Sequence, residues 1–124
     1  MTRVLLEDPD GRLPRTHLIT DLDENVQLLE DRPRALRGMF LRGNASGDDW
    51  LRLYNDLDPE VGTDVPDLLW PLQNTGSGTA EIGVMVHLGM DNVFSVGISA
   101  AVTDLQTDGD DTAPGTNLVN LQVE

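Results

Sequence analysis

The sequence predicts an all-β fold, an antiparallel β-sandwich of jelly-roll or immunoglobulin-like type with about seven strands and an N-terminal arm. Three observations lead there. Short apolar runs broken by Gly, Pro, Asp and Asn recur along the 124 residues, at spacings of about ten residues, which is the rhythm of sandwiches and barrels. Few stretches repeat apolar residues at helical spacing. A chain of this length supports one core, removing about two-thirds of its unfolded surface from water.

Taken in order, residues 1–24 read as an arm or hairpin, and residues 25–124 as the sandwich. The arm holds an apolar run at Val4, Leu5 and Leu6, the turn Asp8-Pro9-Asp10-Gly11, and then His17-Leu18-Ile19. Pro14 and the acidic stretch from Asp21 to Glu24 punctuate it. Strands are expected at 25–30, 35–43, 49–55, 67–72, 80–88, 92–102 and 117–123, where apolar and β-branched residues cluster. Between them, 44–47, 56–63, 74–79 and 104–116 are rich in turn formers and read as surface loops. Gly38, Gly83 and Gly97 fall inside strands and mark bulges or close approaches of another backbone.

Charge narrows the function. Asp and Glu total 22 against 8 basic residues, giving a formal charge of -14, and every base is an arginine. Aspartate outnumbers glutamate 16 to 6. Absent lysine, excess aspartate and a large negative charge together match a halophile's protein, whose self-repulsion is screened in molar salt, where the Debye length is about 3 Å. Such a charge excludes unassisted binding to nucleic acid or to an anionic membrane. The distribution is uneven: residues 1–52 carry all 8 arginines and 10 acids, whereas residues 53–124 carry 12 acids and no Lys or Arg, so either one side of the molecule meets an acidic partner or the arginines pair locally with Glu30, Asp31, Asp48 and Asp49. No apolar run approaches the roughly 18 residues of a membrane span, and MTRVLLEDPDG lacks the apolar region of a signal peptide, so synthesis in the cytoplasm is expected.

Chemistry-bearing residues are sparse. With no cysteine, thiol nucleophiles, disulfides and Cys-based zinc sites are excluded. The two histidines, His17 and His87, lie far apart in sequence and read as structural, and no G-x-S-x-G elbow is present. Thr75-Gly76-Ser77-Gly78-Thr79 has the composition of a phosphate loop without its lysine, and reads as a hairpin turn. Asp104, Asp108, Asp110 and Asp111 form a weak candidate cation site. Counting twelve residues from Asp104 reaches Gly115 where an EF-hand needs Glu, so that motif fails and the plainer reading is a solvated acidic loop. Neither metal nor cofactor is expected. Trp50 and Trp70 offer stacking faces for a sugar, against the plainer role of filling a core short of aromatics.

Residues 35–124 carry an order of features with a known counterpart. Leu36-Arg37-Gly38 leads to Trp50-Leu51-Arg52-Leu53-Tyr54-Asn55-Asp56, then to Gly62-Thr63-Asp64-Val65-Pro66, and then to Gly97-Ile98-Ser99-Ala100-Ala101-Val102-Thr103 before an acidic loop and a last strand. This resembles small β-sandwich accessory virion proteins, of head-decoration or fibre type, encoded by tailed bacteriophages. Their pattern is L-x-G, a strand ending in L-Y-D, G-T-D-x-P, and a G-I-x-x-A-x-T strand. The chain departs from it by placing Asn55 between Tyr54 and Asp56, and residues 1–24 have no counterpart.

The resemblance implies a structural virion protein without catalytic residues, made in the host cytoplasm and resident in the virion. The expected form is a capsid decoration protein on the outer surface, in symmetric contact with its own copies, a trimer being favoured, and with the major capsid protein or another virion protein. Joined to the halophilic composition, it points to a tailed virus of a haloarchaeon. The alternative is a receptor- or glycan-binding module of a tail fibre or turret that uses Trp50 or Trp70. Docking is expected from the arm. Val4, Leu5, Leu6, Leu18 and Ile19 would each forfeit about 1.5 kcal/mol or more if left in water, so a partner outside their own sandwich is expected to cover them, and Arg3, Arg12 and Arg15 can pair with a partner's carboxylates.

A halophilic composition has a direct thermal consequence. The melting temperature of the isolated chain rises steeply between 0.1 and 2 M KCl; a flat curve in a differential scanning experiment contradicts the halophilic reading.

Overall fold

The computed structural model describes residues 15–20, 22–43, 49–72, 84–87, 92–105, 114 and 117–124. Nine strands appear among them: β1 (Arg15–Thr20), β2 (Gln27–Glu30), β3 (Arg34–Arg42), β4 (Asp49–Tyr54), β5 (Leu68–Leu72), β6 (Val84–His87), β7 (Val93–Phe94), β8 (Ile98–Thr103) and β9 (Leu118–Val123). One sheet runs β1-β9-β3-β6 with β7 also paired to β3, and the other runs β2-β8-β4-β5. All pairings are antiparallel. The protein is an all-β sandwich, as the alternating apolar runs predict.

The pairs nest. β4 pairs with β5, β3 with β6, β2 with β8 and β1 with β9, so the chain resembles one long hairpin ribbon folded over, with successive rungs falling in alternate sheets. Strand alternation then builds the core. Leu36, Met39, Leu41, Val119, Leu121 and Val123 project from the first sheet to meet Leu51, Leu53, Leu72, Ile98, Ala100 and Val102 from the second.

Two differences from the expected strands have local causes. The expected strand at 92–102 is divided into β7 and β8, because the side chain of Asn55 takes the N–H groups of Val96 (2.7 Å) and Gly97 (3.4 Å) that a ladder would otherwise use. The described part of the expected arm does not stand apart from the sandwich. Arg15–Thr20 pair with β9 at all six positions, Ile19 packs against the chain's own core rather than awaiting a partner outside it, while Leu18 is exposed, and Leu22 is fully buried in the core. Asn117 grips both backbone groups of Leu22, accepting from its N–H at 3.2 Å and donating to its carbonyl at 2.7 Å, and Val102 N–H donates to the Asp23 carbonyl. These bonds carry the chain from one sheet to the other. Residues 1–14 lie outside the described residues.

Gly38 and Gly97 mark close approaches, as their positions inside apolar runs suggest, while Gly83 lies outside the described residues. Gly38 follows a bulge at Arg37 in the β3–β9 ladder, and a Cβ there would sit 3.1 Å from Gln122 Oε1. Gly97 is more constrained, since a Cβ would overlap the carbonyl oxygen of Glu30 and come within 2.6 Å of Leu57 Cδ2. Backbone cannot yield as a flexible side chain can, so overpacking here costs about 1–3 kcal/mol. Gly97→Ala is accordingly expected to lower the urea midpoint by that equivalent, and an unchanged midpoint contradicts the close approach.

Candidate functional site

The chemically most concentrated place among the described residues lies where the edge strand of each sheet meets the other. A β2 strand in regular register would send Leu28 outward, Leu29 inward and Glu30 outward. Instead Leu28 pairs with Ser99 and Glu30 with Ile98, so two residues of β2 oppose one of β8, and the bulge turns Glu30 inward beside Leu29. The Glu30 side chain is only 2% exposed. His17 and Arg15 project inward from β1, and Arg34 follows the turn after β2.

These groups surround one carboxylate. Arg34 Nε donates to Glu30 Oε2 at 3.3 Å, His17 Nε2 lies 3.0 Å from Oε1, and Arg15 Nη1 lies 3.7 Å from Oε2. Arg34 is nearly as buried as Glu30, at 4%, whereas His17 is partly exposed and Arg15 half-exposed. The cluster bridges β1 of one sheet and β2 of the other across the open side of the sandwich. Its chemistry is that of a clasp.

A second constellation is the β4–β5 connection, which contains the Gly62-Thr63-Asp64-Val65-Pro66 motif. Asn55 N–H donates to Asp67 Oδ2 at 2.7 Å, and Asp67 N–H donates to the Leu53 carbonyl, so the connection closes at its base. Within it, Thr63 and Asp64 N–H groups both donate to the Glu60 carbonyl, while Asp64 Oδ2 accepts from Glu60 N–H at 2.7 Å. Gly62 sits at φ 90°, a conformation that suits glycine. Ser99 Oγ donates to the Asp56 carbonyl, which binds the connection to β8. This rigid turn borders a groove of about 480 Å³ lined by Glu24, Asn25, Val26, Pro59, Glu60 and Val61.

The predicted site residues separate into three sets. Trp70 faces inward from β5 opposite Leu51 and packs against the core, while Trp50 lies on the outer face opposite Pro71 and Thr103, half-buried. The two tryptophans therefore lie on opposite faces of one sheet and do not form a joint stacking site. Asp104 is exposed, and Asp108, Asp110 and Asp111 lie outside the described residues. Among the described residues no group of three or more His, Asp or Glu is placed to hold a metal. Arg15 joins the Glu30 cluster, whereas Arg3, Val4, Leu5, Leu6 and Arg12 lie outside the described residues.

Local pairing of the arginines with Glu30 and Asp31, one of the two readings of the uneven charge, is found at Arg34, Arg15 and Arg32, whereas the inward burial of Glu30 is not foreseen from the sequence, because a bulge rather than alternation turns it inward. Sequence reasoning also missed Arg52, fully buried on the outer face of β4, whose Nε donates to Thr103 Oγ1 at 2.7 Å and whose Nη2 donates to the Leu105 carbonyl at 3.0 Å. The position of Arg52 between Leu51 and Leu53 gives no sign of this burial. Comparison with protein-family models, curated proteins and solved structures gives no match.

Removing one member of a buried ion pair leaves the other uncompensated, which costs about 3–5 kcal/mol, whereas replacing the pair together by apolar groups is close to neutral. Glu30→Ala is therefore expected to destabilise by that amount and the double variant Glu30→Leu with Arg34→Met by far less, as read from urea midpoints. Equal losses in both contradict the clasp.

Proposed function

We propose that this protein is a structural component of a virus particle, a decoration protein on the outer surface of a tailed-virus capsid that works through contacts with its own copies and with the shell. The observation that carries the reading is the strand order. Orders β1-β9-β3-β6 and β2-β8-β4-β5, with nested pairs, are read as a jelly-roll, an architecture used by viral capsid and lectin domains. Fold alone does not specify function. Added support comes from the motif order over residues 35–124 that resembles accessory virion proteins, and from the well-bonded turn that Gly62-Thr63-Asp64-Val65-Pro66 builds.

The glycan-binding alternative rests on the same strand order and on Trp50, whose ring is half-buried on an outer sheet face. Trp70 lends it no support, being packed against the core. The composition supports a haloarchaeal host.

Quantitative mass spectrometry of purified particles from the virus or provirus that encodes the chain tests the reading. Hundreds of copies per particle are expected of a decoration protein. A few dozen copies would move the protein to the tail and favour the glycan reading, and complete absence from particles overturns the virion role.

A further inference from the structure

The outer faces of the two sheets differ in what lies on them. On the second sheet, Arg52, Ser99 and Thr103 point away from the core yet are fully buried, because the chain covers them itself: the Ser99 hydroxyl binds the Asp56 carbonyl, and Arg52 Nη2 binds that of Leu105. On the first sheet the registers arrange the outward positions of β1, β9 and β3 in rows. The middle row is Leu18–Asn120–Phe40. Thr16 and Gln122 flank it beside Gly38 on one side, and Thr20, Leu118 and Arg42 flank it on the other. Ile19, Met39 and Leu121, which alternate with these positions, belong to the core, whereas Leu18, Phe40 and Leu118 do not. Leu18 is 62% exposed.

No carboxylate stands at any position of these rows, in a chain with 22 acids among 124 residues. The fourth strand of the sheet, β6, has no acid in its sequence either. Arg42 is the one charge in the rows and is already engaged within the chain, while Glu124, beyond the end of β9, is held by Arg37 at 3.0 Å. Exposed apolar side chains elsewhere sit beside acids. Leu57, which makes an apolar patch around Gly97 with Leu28 and Val96, lies between Asp56 and Asp58, Val65 follows Asp64, and Leu105 follows Asp104.

We infer that the outer face of the β1-β9-β3-β6 sheet is where two copies of the chain meet, sheet against sheet, about a two-fold axis. Charge selects the occupant. Copies that each carry a formal charge of -14 repel wherever their carboxylates approach, and the centres of interfaces are depleted of charged residues. The acid-free rows let two copies close without bringing like charges together. Hydrogen bonding selects a second copy again. Asn120 Oδ1, in the middle row, is shut off from solvent and has no donor, and an amide oxygen out of water requires one. A turn of the Asn120 amide presents that oxygen to the face. An acidic partner brings acceptors only, whereas the amides and hydroxyls of Asn120, Gln122, Thr16 and Thr20 on a second copy both donate and accept. Such a face is complementary to itself, as a two-fold contact demands. Four strands and five residues along each give it dimensions of about 19 Å by 17 Å, small for an interface, so association is concentration-dependent. The expected unit is a dimer, in place of the trimer that the resemblance favours. The inference deepens the self-contact part of the virion reading, which particle composition decides independently.

The test is sedimentation equilibrium of the full-length chain in 2 M KCl at concentrations up to about 1 mM, with circular dichroism as the check on folding. The wild-type chain is expected to pass from monomer to dimer across this range. Leu18→Asp and Asn120→Asp each set carboxylates against one another in the middle row, and each is expected to weaken dimerisation about tenfold or more with unchanged spectra. Val65→Asp, at a comparably exposed site beside the acidic turn, is expected to leave dimerisation unchanged. Should Leu18→Asp alter the spectrum, Thr16→Asp replaces it. A wild-type monomer at every concentration, growth beyond a dimer, a dimer indifferent to both middle-row variants, or a dimer lost in Val65→Asp each overturns the inference. Association of the wild-type chain only on addition of the major capsid protein assigns the face to a foreign partner and overturns it as well.

Discussion

A buried carboxylate must be met by cations and donors, or its desolvation is uncompensated, and the open side of this sandwich is organised around that requirement at Glu30. The bulge in β2 turns the side chain inward, Arg34 returns to it from the following strand, and His17 and Arg15 reach it from the opposite sheet. A sandwich held only by apolar packing leaves its edge strands able to part. Here the first strand of one sheet is tied to the first strand of the other, and the Glu30 carbonyl in turn lies where any side chain on Gly97 would have to go. The carboxylate, the bulge and the glycine therefore depend on one another, and the exposed Leu28–Leu57–Val96 patch is their outer surface.

The same features blunt the sheet edges. Unprotected edges invite pairing with other chains, and inward-facing charge, bulges and proline prevent it. β1 carries Arg15 and His17 on its inner side, β2 is four residues long and bulged, and β5 contains Pro71 opposite Trp50. Strand addition at these edges is thereby disfavoured. Under the proposed virion role, contacts with other copies would therefore fall on side-chain surfaces rather than on the edges of β1, β2 or β5.

How far the fold is legible in the sequence depends on which physical signal each element uses. Strands β3, β4, β5 and β9 announce themselves by apolar runs between turn formers, and Gly97 by its place inside such a run. What pairs with what is not written in that pattern. His17-Leu18-Ile19 reads equally well as part of an arm and as an edge strand, and only the full register with β9 decides. The split at Ser95–Gly97 depends on the Asn55 side chain, forty residues away. Glu30 is legible as a neighbour for the arginines but its inward burial is not, for a related reason: alternation is the signal that assigns inside and outside, and a bulge suspends it. Trp50 and Trp70 show the limit from the other direction, since residues twenty apart are equally aromatic in sequence and fall on opposite faces of one sheet.

Native-state hydrogen exchange on the wild-type chain and on Glu30→Gln tests the clasp most directly. If Glu30 ties the edges together, the substitution should lower protection of the β1 and β2 amides together, while β4 and β8 amides keep nearly all of theirs. Uniform loss across both sheets, or unchanged protection in β1, would show that the sandwich edge is held by something other than this carboxylate.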